Sequence, residues 1–301
     1  MTHHWGYVGA VASALFFGLA ATFNKIVLGT VPPIVVAGIT YLFAGISLSL
    51  VRLSPLRWRV MRLLKTPTKT ESTFCKRDII VLGLIVVSGS IIAPLLFLSG
   101  LNQTTAINTS FLQNTESLFT ALIALMFLKE KACKKEWMGI GFLILGAIFL
   151  TTNAQFYQLT LTQSLVGNLL VVAACFFWAI DNNLSKLLCI KEDLILITAL
   201  KCLIGGSILL LAAHAIGLEL LVPAYTLPYL LVVGALSIGF SILFFMLGLR
   251  EIGSIRTGII FSTSSLFGAI FAFFILGESF TPIQVIAGLA MLLGVYVLYR
   301  K

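Results

Sequence analysis

The sequence predicts an all-α integral membrane protein of ten transmembrane helices, arranged as two inverted five-helix repeats. Three observations lead to this prediction. Hydrophobic residues make up 59% of the 301 residues, charged residues make up 10%, and the mean hydropathy is +1.07. A soluble domain carries about a quarter charged residues. Ten apolar runs of roughly 20 residues, the length that crosses a bilayer as a helix, recur along the chain, and the second half of the chain repeats the first.

The ten predicted spans follow one another with short connections. Because a bilayer core offers no water to the backbone, each apolar run must satisfy its own hydrogen bonds as a helix. The opening residues MTHHW lack the basic region of a signal peptide, so the first run counts as a span. Pro94 predicts a kink in the third span. The spans lie near residues 6–28, 33–51, 79–99, 104–127, 137–152, 166–188, 194–216, 227–248, 254–276 and 281–299.

The basic residues predict the orientation of these spans. If the N-terminus is cytoplasmic, 18 of the 20 Lys and Arg residues fall in inside segments, and Lys25 and Lys201 are the exceptions. The positive-inside rule therefore predicts a cell-membrane protein with both termini cytoplasmic and the connection 153–165 outside. The basic loop 52–77 is expected to lie on anionic headgroups. The net charge of +9 is thus explained by orientation, and no nucleic-acid partner is predicted.

Two shifts of the chain on itself align its halves. The predicted repeats are residues 1–153 and 166–301, and each contains five spans. Because five is an odd number, the second repeat enters the membrane in the opposite sense. Inverted repeats are typical of secondary transporters, whose solute site lies near the midplane between the halves. The matched pairs include Lys25 with Lys186 and Gly45 with Gly206 at a shift of 161, and Ser117 with Ser265 and Glu130 with Glu278 at a shift of 148.

The same residues resemble a known family. The segment GIIFSTSSLFGAIFAFFILGESFTPIQVIAGLAMLLGVYVL (258–298) and its counterpart NTESLFTALIALMFLKEKACKKEWMGIGFLILGAIFL (114–150) are similar to the repeat of the drug/metabolite transporter superfamily, EamA type. The resemblance covers essentially the whole chain and implies a ten-helix carrier with a central cavity. Family members often have a proline after the position of Glu116 and at the matching place in the ninth span. Ser117 and Ser265 stand there in this chain, so those kinks are not expected.

Glu116 is the first candidate for a functional residue. It lies in the middle of the fourth span, where an ionisable group is costly and indicates a function. Polar residues at spacings of three or four share its helix face, and they are Thr105, Thr109, Gln113 and Thr120. We predict that Glu116, Gln113 and Thr109 bind the solute and that Glu116 couples transport to protons. The alternative is a glutamate that joins two helices through hydrogen bonds.

Asp181 and Lys201 are predicted to form an ion pair. Each lies about seven residues from the cytoplasmic end of its span, and the two spans are consecutive. A lone buried charge is expensive, and a partner offsets much of its cost. The pair is either structural or a charged contact for the solute or an intracellular gate.

Five further residues complete the predicted solute-binding set, namely Asn24, Tyr41, Trp178, Phe245 and Ser264. The expected cavity is lined by the first, fourth, sixth and ninth spans. Each also has a plainer interpretation, because aromatic side chains in apolar helices often face lipid or core and mid-helix hydroxyls often pack. Lys25, beside Asn24, is expected to reach the headgroups.

No metal site, cofactor or enzyme activity is predicted. His3 and His4 are adjacent at the N-terminus and His214 is alone, so no metal-binding spacing is seen. No glycine-rich phosphate loop or catalytic motif occurs. The prediction is a secondary transporter of small organic solutes (amino acid, metabolite or drug-like) that works by alternating access, with the solute and membrane lipid as its partners. A lipid flippase of the same fold is the alternative, and a membrane-embedded enzyme or receptor is a more distant one.

Overall fold

The computed structural model describes residues 3–55, 76–128, 134–152, 162–189 and 193–299, and every regular element within those ranges is helical. The helices follow one another in the predicted order. They are α1 (His3–Leu28), α2 (Pro33–Leu53), α3 (Lys76–Gln103), α4a (Ala106–Leu112), α4b (Thr115–Leu128), α5 (Lys134–Thr152), α6 (Gln163–Cys189), α7 (Leu194–Ala215), α8 (Ala224–Phe245), α9 (Thr257–Leu276) and α10 (Pro282–Tyr299).

The lengths and compositions of these helices agree with a membrane fold. Seven of the described helices (α1, α2, α3, α6, α7, α8 and α9) are apolar and long enough to cross a membrane. Shorter apolar helices lie within α5 and α10, at Trp137–Thr152 and Pro282–Val297. The fourth span is divided into α4a and α4b. The predicted all-helical membrane fold of about ten helices is therefore confirmed.

The helix ends form two faces. The termini face carries the start of α1 and the end of α10, and the opposite face carries the α1–α2, α3–α4 and α9–α10 connections. Several features on which the sequence predictions depend lie outside the described residues. These are most of the basic loop 52–77, the segments 129–133 (with Glu130 and Cys133) and 190–192, most of the connection 153–165, Cys75, and the side chains of Lys186 and Cys189.

A tight turn at the termini face joins α8 to α9. Residues Ser241–Ser262, which include this turn, keep a helical hydrogen-bonding pattern without a break. A Cβ atom added to Gly248 would nevertheless lie 2.9 Å from Thr257 Cγ2. Nine residues of a straight helix rise about 13.5 Å. The chain therefore reverses direction between Gly248 and Thr257, and α8 and α9 are separate spans.

Both α3 and α8 contain a π-helical segment, Val86–Ile92 and Val232–Phe240 respectively. The shift of 148 places residues 86–92 on 234–240, so the two irregularities fall at matching positions of the predicted repeats. In α3 the amide N–H of Ala93 donates to the Ser88 carbonyl oxygen, which is the π register. The next residue, Pro94, has no N–H to donate, so the irregularity expected at Pro94 takes the form of a π segment that ends just before it.

The fourth and ninth spans are also interrupted at matching positions. α4 breaks at Gln113 and Asn114, and the helix through α9 breaks at Thr263. The expectation that these helices lack a kink without proline is therefore wrong. Threonine hydroxyl groups bond to the backbone at both breaks. Thr115 donates to the Leu112 carbonyl oxygen at 2.7 Å, and Thr263 donates to the Ile260 carbonyl oxygen at 2.6 Å, in addition to the backbone bond from the Thr263 N–H group. Side-chain bonds of this kind bend helices and satisfy freed carbonyl groups in a membrane.

The helices pack mainly across the boundary between the predicted halves. α1 packs against α8 and α9, α2 against α7, α3 against α6, α4b against α6, and α5 against α10. Glycines bring the backbones close at two of these crossings. A Cβ atom on Gly206 would lie 2.8 Å from the Gly38 carbonyl oxygen, and one on Gly167 would lie 2.8 Å from the Gly100 carbonyl oxygen. Such small residues allow the close van der Waals packing that holds helices together in lipid.

Candidate functional site

Asp181 in α6 and Lys201 in α7 lie in direct contact. The Lys201 Nζ atom is 2.6 Å from Asp181 Oδ2, and the side chains are 15% and 5% exposed for lysine and aspartate respectively. The Ser185 hydroxyl donates to Asp181 Oδ1 at 3.0 Å. Both carboxylate oxygens therefore have a donor, which offsets the cost of burying the charges.

The π segment of α3 packs against this ion pair through Gly89. A Cβ atom on Gly89 would overlap the Asp181 carboxylate, so a larger residue would displace the acid. The Gly89 carbonyl oxygen accepts from the Tyr41 hydroxyl at 3.1 Å and from Trp178 Nε1 at 3.2 Å. In the π register its donor would be the N–H of residue 94, which is proline. Tyr41 and Trp178 thus satisfy a carbonyl group that Pro94 leaves free.

Glu116 lies in the first turn of α4b, directly after the break in the fourth span. Its backbone N–H donates to the Gln113 carbonyl oxygen at 3.0 Å. The Asn182 side-chain amide, from α6, donates to Glu116 Oε1 at 2.5 Å. Glu116 also interacts electrostatically with Asp181 and Lys201. A helix N-terminus favours a carboxylate, and the acid is half-buried beside an exposed Asn182.

The broken helices α4 and α9 contact each other near their breaks. The Asn114 side-chain amide donates to the Ser265 hydroxyl at 3.0 Å, and both residues are buried. A little further toward the opposite face, Gly268 lies against Ser110. From the break toward the termini face, α4b packs against α6 instead. The two parts of α4 therefore have different partners.

The other predicted site residues are dispersed. Thr109 is buried and donates to its own helix at the Thr105 carbonyl oxygen, 2.9 Å away. Ser264 is buried where α9 meets Gly18 of α1. Phe245 packs edge to face against Phe261, with ring centroids 4.8 Å apart.

Two predicted site residues keep side chains with unused hydrogen-bonding capacity. Asn24 is buried, and its Oδ1 atom has no hydrogen-bond partner. Gln113 is half-buried at the end of α4a. Neither contributes a hydrogen bond to the cluster around Asp181.

Lys25 does not extend to the headgroups as expected. Its Nζ atom donates to the carbonyl oxygens of Leu101 and Thr104, each 2.6 Å away, at the end of α3. The reason is that the last carbonyl groups of a helix lack backbone donors, and a nearby cation satisfies them.

The candidate site is therefore a group of polar side chains at the boundary between the halves, made of Tyr41, Glu116, Trp178, Asp181, Asn182 and Lys201. The sequence did not identify Asn182 as the partner of Glu116, nor Gly89 as the point where the aromatic donors meet. The five-residue spacing of Gly89 and Pro94 could have indicated the free carbonyl group of Gly89, because in a π-helix the donor to that group would be residue 94. Within the described ranges there is no group of three His, Cys, Asp or Glu side chains that could hold a metal ion.

An apolar groove of about 350 Å³ lies on the side of the protein. It is formed by α2 and by the connection between α7 and α8. Its lining residues are Ile39, Leu42, Phe43, Ile46, Leu220, Leu221, Val222 and Leu227. The groove is separate from the polar cluster, with which it shares no lining residue.

Comparisons with known proteins identify the family and support the helical fold. The model of the EamA-like transporter family matches residues 4–152 and again residues 165–300. An uncharacterized transporter of Methanothermobacter thermautotrophicus is 41% identical over 299 residues, which cover 99% of this chain and 87% of the relative. One of Archaeoglobus fulgidus is 26% identical over 86% of this chain and 92% of the relative. A solved crystal structure with 15% identity has a TM-score of 0.66 and covers 97% of this chain and 95% of its own.

Proposed function

This chain belongs to the EamA-like transporter family, and from that premise we propose that it carries a small organic solute across the cytoplasmic membrane by alternating access. The relatives that it matches are named transporters, and the proposal involves no chemical conversion of the solute. The observation that carries it is the group of charged side chains buried between the two halves, around Glu116 and the Asp181–Lys201 pair. Charges inside a membrane protein mark solute and ion pathways.

The proposed solute site is the space beside Glu116 and Asn182. Lys201 neutralises Asp181, whereas the described hydrogen bond of Glu116 comes from an uncharged amide. Among the described residues, no cation pairs directly with the Glu116 carboxyl group, so when ionised it can bind the cationic group of a solute or zwitterion. Gly89, Tyr41 and Trp178 form a rigid wall next to the ion pair, because their side chains and carbonyl group already bind one another.

The proposed orientation has both termini in the cytoplasm, as the distribution of basic residues indicates. In that orientation α4a packs against α9 on the outer side, whereas α4b packs against α6 toward the cytoplasm, and this supports a state that is closed to the outside. The break at Gln113 and Asn114 is where the two parts of α4 take different partners. This supports a hinge there and a site that communicates with the cytoplasm.

Glu116 is the proposed proton-coupling residue. A carboxyl group that meets water on one side of the membrane in one state and on the other side in the next can pick up and release a proton in turn. A cationic solute competes with that proton for the same carboxylate, which gives exchange. Asp181 is less suited to this role because Lys201 holds it at 2.6 Å.

The test starts with the purified protein. Amino acids, polyamines and aromatic amines are screened by thermal shift, since a compound at 100 times its Kd adds about 2.7 kcal/mol of stability. Each hit is then added to proteoliposomes that contain a pH-sensitive dye. We expect the solute to drive proton flux through the wild-type protein and through a Glu219→Gln control, because Glu219 is an exposed loop acid.

Glu116→Gln removes the carboxylate for which solute and proton compete, so it should weaken binding of a cationic solute and abolish solute-driven proton flux, while it keeps its unfolding temperature. Unchanged proton flux in this variant would refute the coupling role. If no compound of any class is bound or moved by the wild-type protein, the proposed solute transport is wrong.

The apolar groove favours a second candidate, translocation of lipid. An acyl chain fits its apolar lining on α2 and the α7–α8 connection. Proteoliposomes with a fluorescent phospholipid in both leaflets distinguish the two functions, because a reductant that cannot cross the membrane bleaches the outer half. Bleaching beyond one half in wild-type vesicles, but not with Phe43→Arg, would favour the lipid substrate. Bleaching that stops at one half excludes it.

A further inference from the structure

The corner between α3 and α4 at the opposite face is held by two charged side chains from outside it. This corner comprises residues 101–107. From one side, the Lys25 ammonium group donates to the carbonyl oxygens of Leu101 and Thr104 at 2.6 Å each. From the other side, the Glu278 carboxylate accepts from the backbone N–H groups of Ala106 at 2.8 Å and Ile107 at 2.9 Å.

The two charges match the groups that they contact. The last carbonyl groups of α3 lack backbone donors and the first N–H groups of α4a lack acceptors, so a cation and an anion respectively satisfy them. Gly277 makes the second contact possible. It ends α9 with a φ of +69°, a left-handed conformation that places Glu278 directly after the turn.

Both charges come from helices that pack with the second half. Glu278 lies in the α9–α10 connection, and α1, which carries Lys25, packs mainly against α8 and α9. The corner itself belongs to α3 and α4 of the first half, and α3 packs against α6. These hydrogen bonds therefore cross a boundary that must open if the opposite face opens.

We propose that Lys25 and Glu278 form a charged clasp that keeps the opposite face closed and that releases the α3–α4 corner when this face opens. The clasp rests on the proposed alternating access, and it acts on the balance between two conformations rather than on the solute. Its release leaves an ammonium group, a carboxylate and the ends of two helices in water, where they can be solvated. Closure re-forms the hydrogen bonds of Lys25 and Glu278 with the corner together.

Residues beneath the corner provide an accessibility readout. Ser110 lies one turn into α4a, is 1% exposed and touches Gly268 of α9. In the closed state a cysteine at position 110 should be protected from a water-soluble maleimide, and an open corner should expose it. Cysteine is close to serine in size, so Ser110→Cys preserves the packing.

The experiment compares clasp variants in the full chain, with its own five cysteines replaced and no solute added. We expect Ser110→Cys to react at least several-fold faster when combined with Glu278→Gln or Lys25→Met than by itself. Lys25→Arg keeps the cation and should restore protection. Glu219→Gln removes an exposed acid in the α7–α8 connection at the same face, and it should leave the rate unchanged.

A distance measurement provides a second readout. Spin labels at Asn102 and Ser279, both exposed, report the separation of the corner from the α9–α10 connection by double electron–electron resonance. The clasp variants should shift the distribution to longer distances, with wild-type melting temperatures as the evidence of folding. Unchanged labelling rates and unchanged distances in folded Glu278→Gln and Lys25→Met proteins would overturn the proposal. Neither readout uses a solute, so a failure of the clasp is distinguishable from a failure of solute transport.

Discussion

At the scale of single residues, function in this protein depends on which groups inside the membrane have partners. Asp181 has two donors, Lys201 and Ser185, and Glu116 has Asn182. An ion pair and an amide–acid bond have different consequences. The ion pair is electrically neutral, whereas the described hydrogen bond of the Glu116 carboxyl group comes from an uncharged amide. The difference supports the assignment of solute and proton binding to Glu116 and of a structural and positioning role to Asp181.

The ion pair can be tested by a double-mutant cycle. Asp181→Asn or Lys201→Met alone should lower the free energy of unfolding by about 3 to 5 kcal/mol, because each leaves an uncompensated charge in a buried place. The double variant should lose less than the sum, since the two residues are in contact. Unfolding of the purified protein in detergent measures all three values.

Arg52→Met is the matched control for this cycle. It removes one partner of the Arg52–Asp193 ion pair, in which Arg52 Nε lies 3.0 Å from Asp193 Oδ2 and the arginine side chain is 25% exposed. This more exposed pair should contribute about 1 kcal/mol or less. Strict additivity of the Asp181 and Lys201 variants would show that their contact does not stabilise the fold.

At the scale of helices, the irregular segments determine where the polar groups point. The π segment of α3 and the break in α4 each free backbone groups, and each lies beside the candidate site. Equivalent segments occur in α8 and α9, at positions that the repeat predicts. In the first half the freed carbonyl of Gly89 gathers Tyr41 and Trp178 around it. Backbone groups without helical partners therefore help to position the polar side chains of the site.

The role of Pro94 gives a prediction at this scale. Tyr41→Phe removes one donor from the Gly89 carbonyl oxygen and should lower the free energy of unfolding by about 1 kcal/mol. In a Pro94→Ala background residue 94 has an N–H that can bond to the same oxygen. The cost of Tyr41→Phe should therefore be smaller there, as thermal or chemical unfolding would reveal.

Pro228→Ala is the control background, because Pro228 lies in the first turn of α8, far along the chain from Gly89. Tyr41→Phe should cost the same in that background as in the wild type. An equal cost in the Pro94→Ala background would mean that Pro94 does not determine the environment of Gly89.

At the scale of the whole molecule, the main helix contacts lie across the boundary between the two halves. Its large contacts join α1 to α8 and α9, α2 to α7, α3 to α6, and α5 to α10. Close glycine crossings such as Gly38 with Gly206 keep these pairs together. In the proposed transport cycle, the charged clasp at the α3–α4 corner is one of the contacts that break when the opposite face opens. The repeat matches Lys25 with Lys186 and Glu278 with Glu130. The side chains of Lys186 and Glu130 lie outside the described residues.

The orientation of the whole molecule is a prediction that labelling can check. In a chain without its own cysteines, Gln163→Cys at the opposite face should react with a membrane-impermeant maleimide in intact cells. Lys76→Cys at the termini face should react only after the membrane is permeabilised. Both positions are exposed, so protection from reagent reports sidedness rather than burial. The reverse pattern would place both termini outside the cell and overturn the proposed orientation.

The sequence by itself determined the membrane fold, the order of the ten helices and the depth of the ionisable residues. These are local properties, set by composition, run length and position along the chain, so no neighbouring helix is needed to read them. Depth alone also suggested that Asp181 and Lys201 lie together, as they do.

The tertiary structure decided which helix each polar group meets: Lys25 binds the end of α3, Asn182 binds Glu116, and Ser265 binds Asn114. Those partners depend on the rotation and crossing of helices that are far apart in the chain, and a run of apolar residues contains almost no information about either. The break in α4 escaped prediction for the same reason, because hydroxyl groups such as that of Thr115 satisfy carbonyl groups that a proline would have left free.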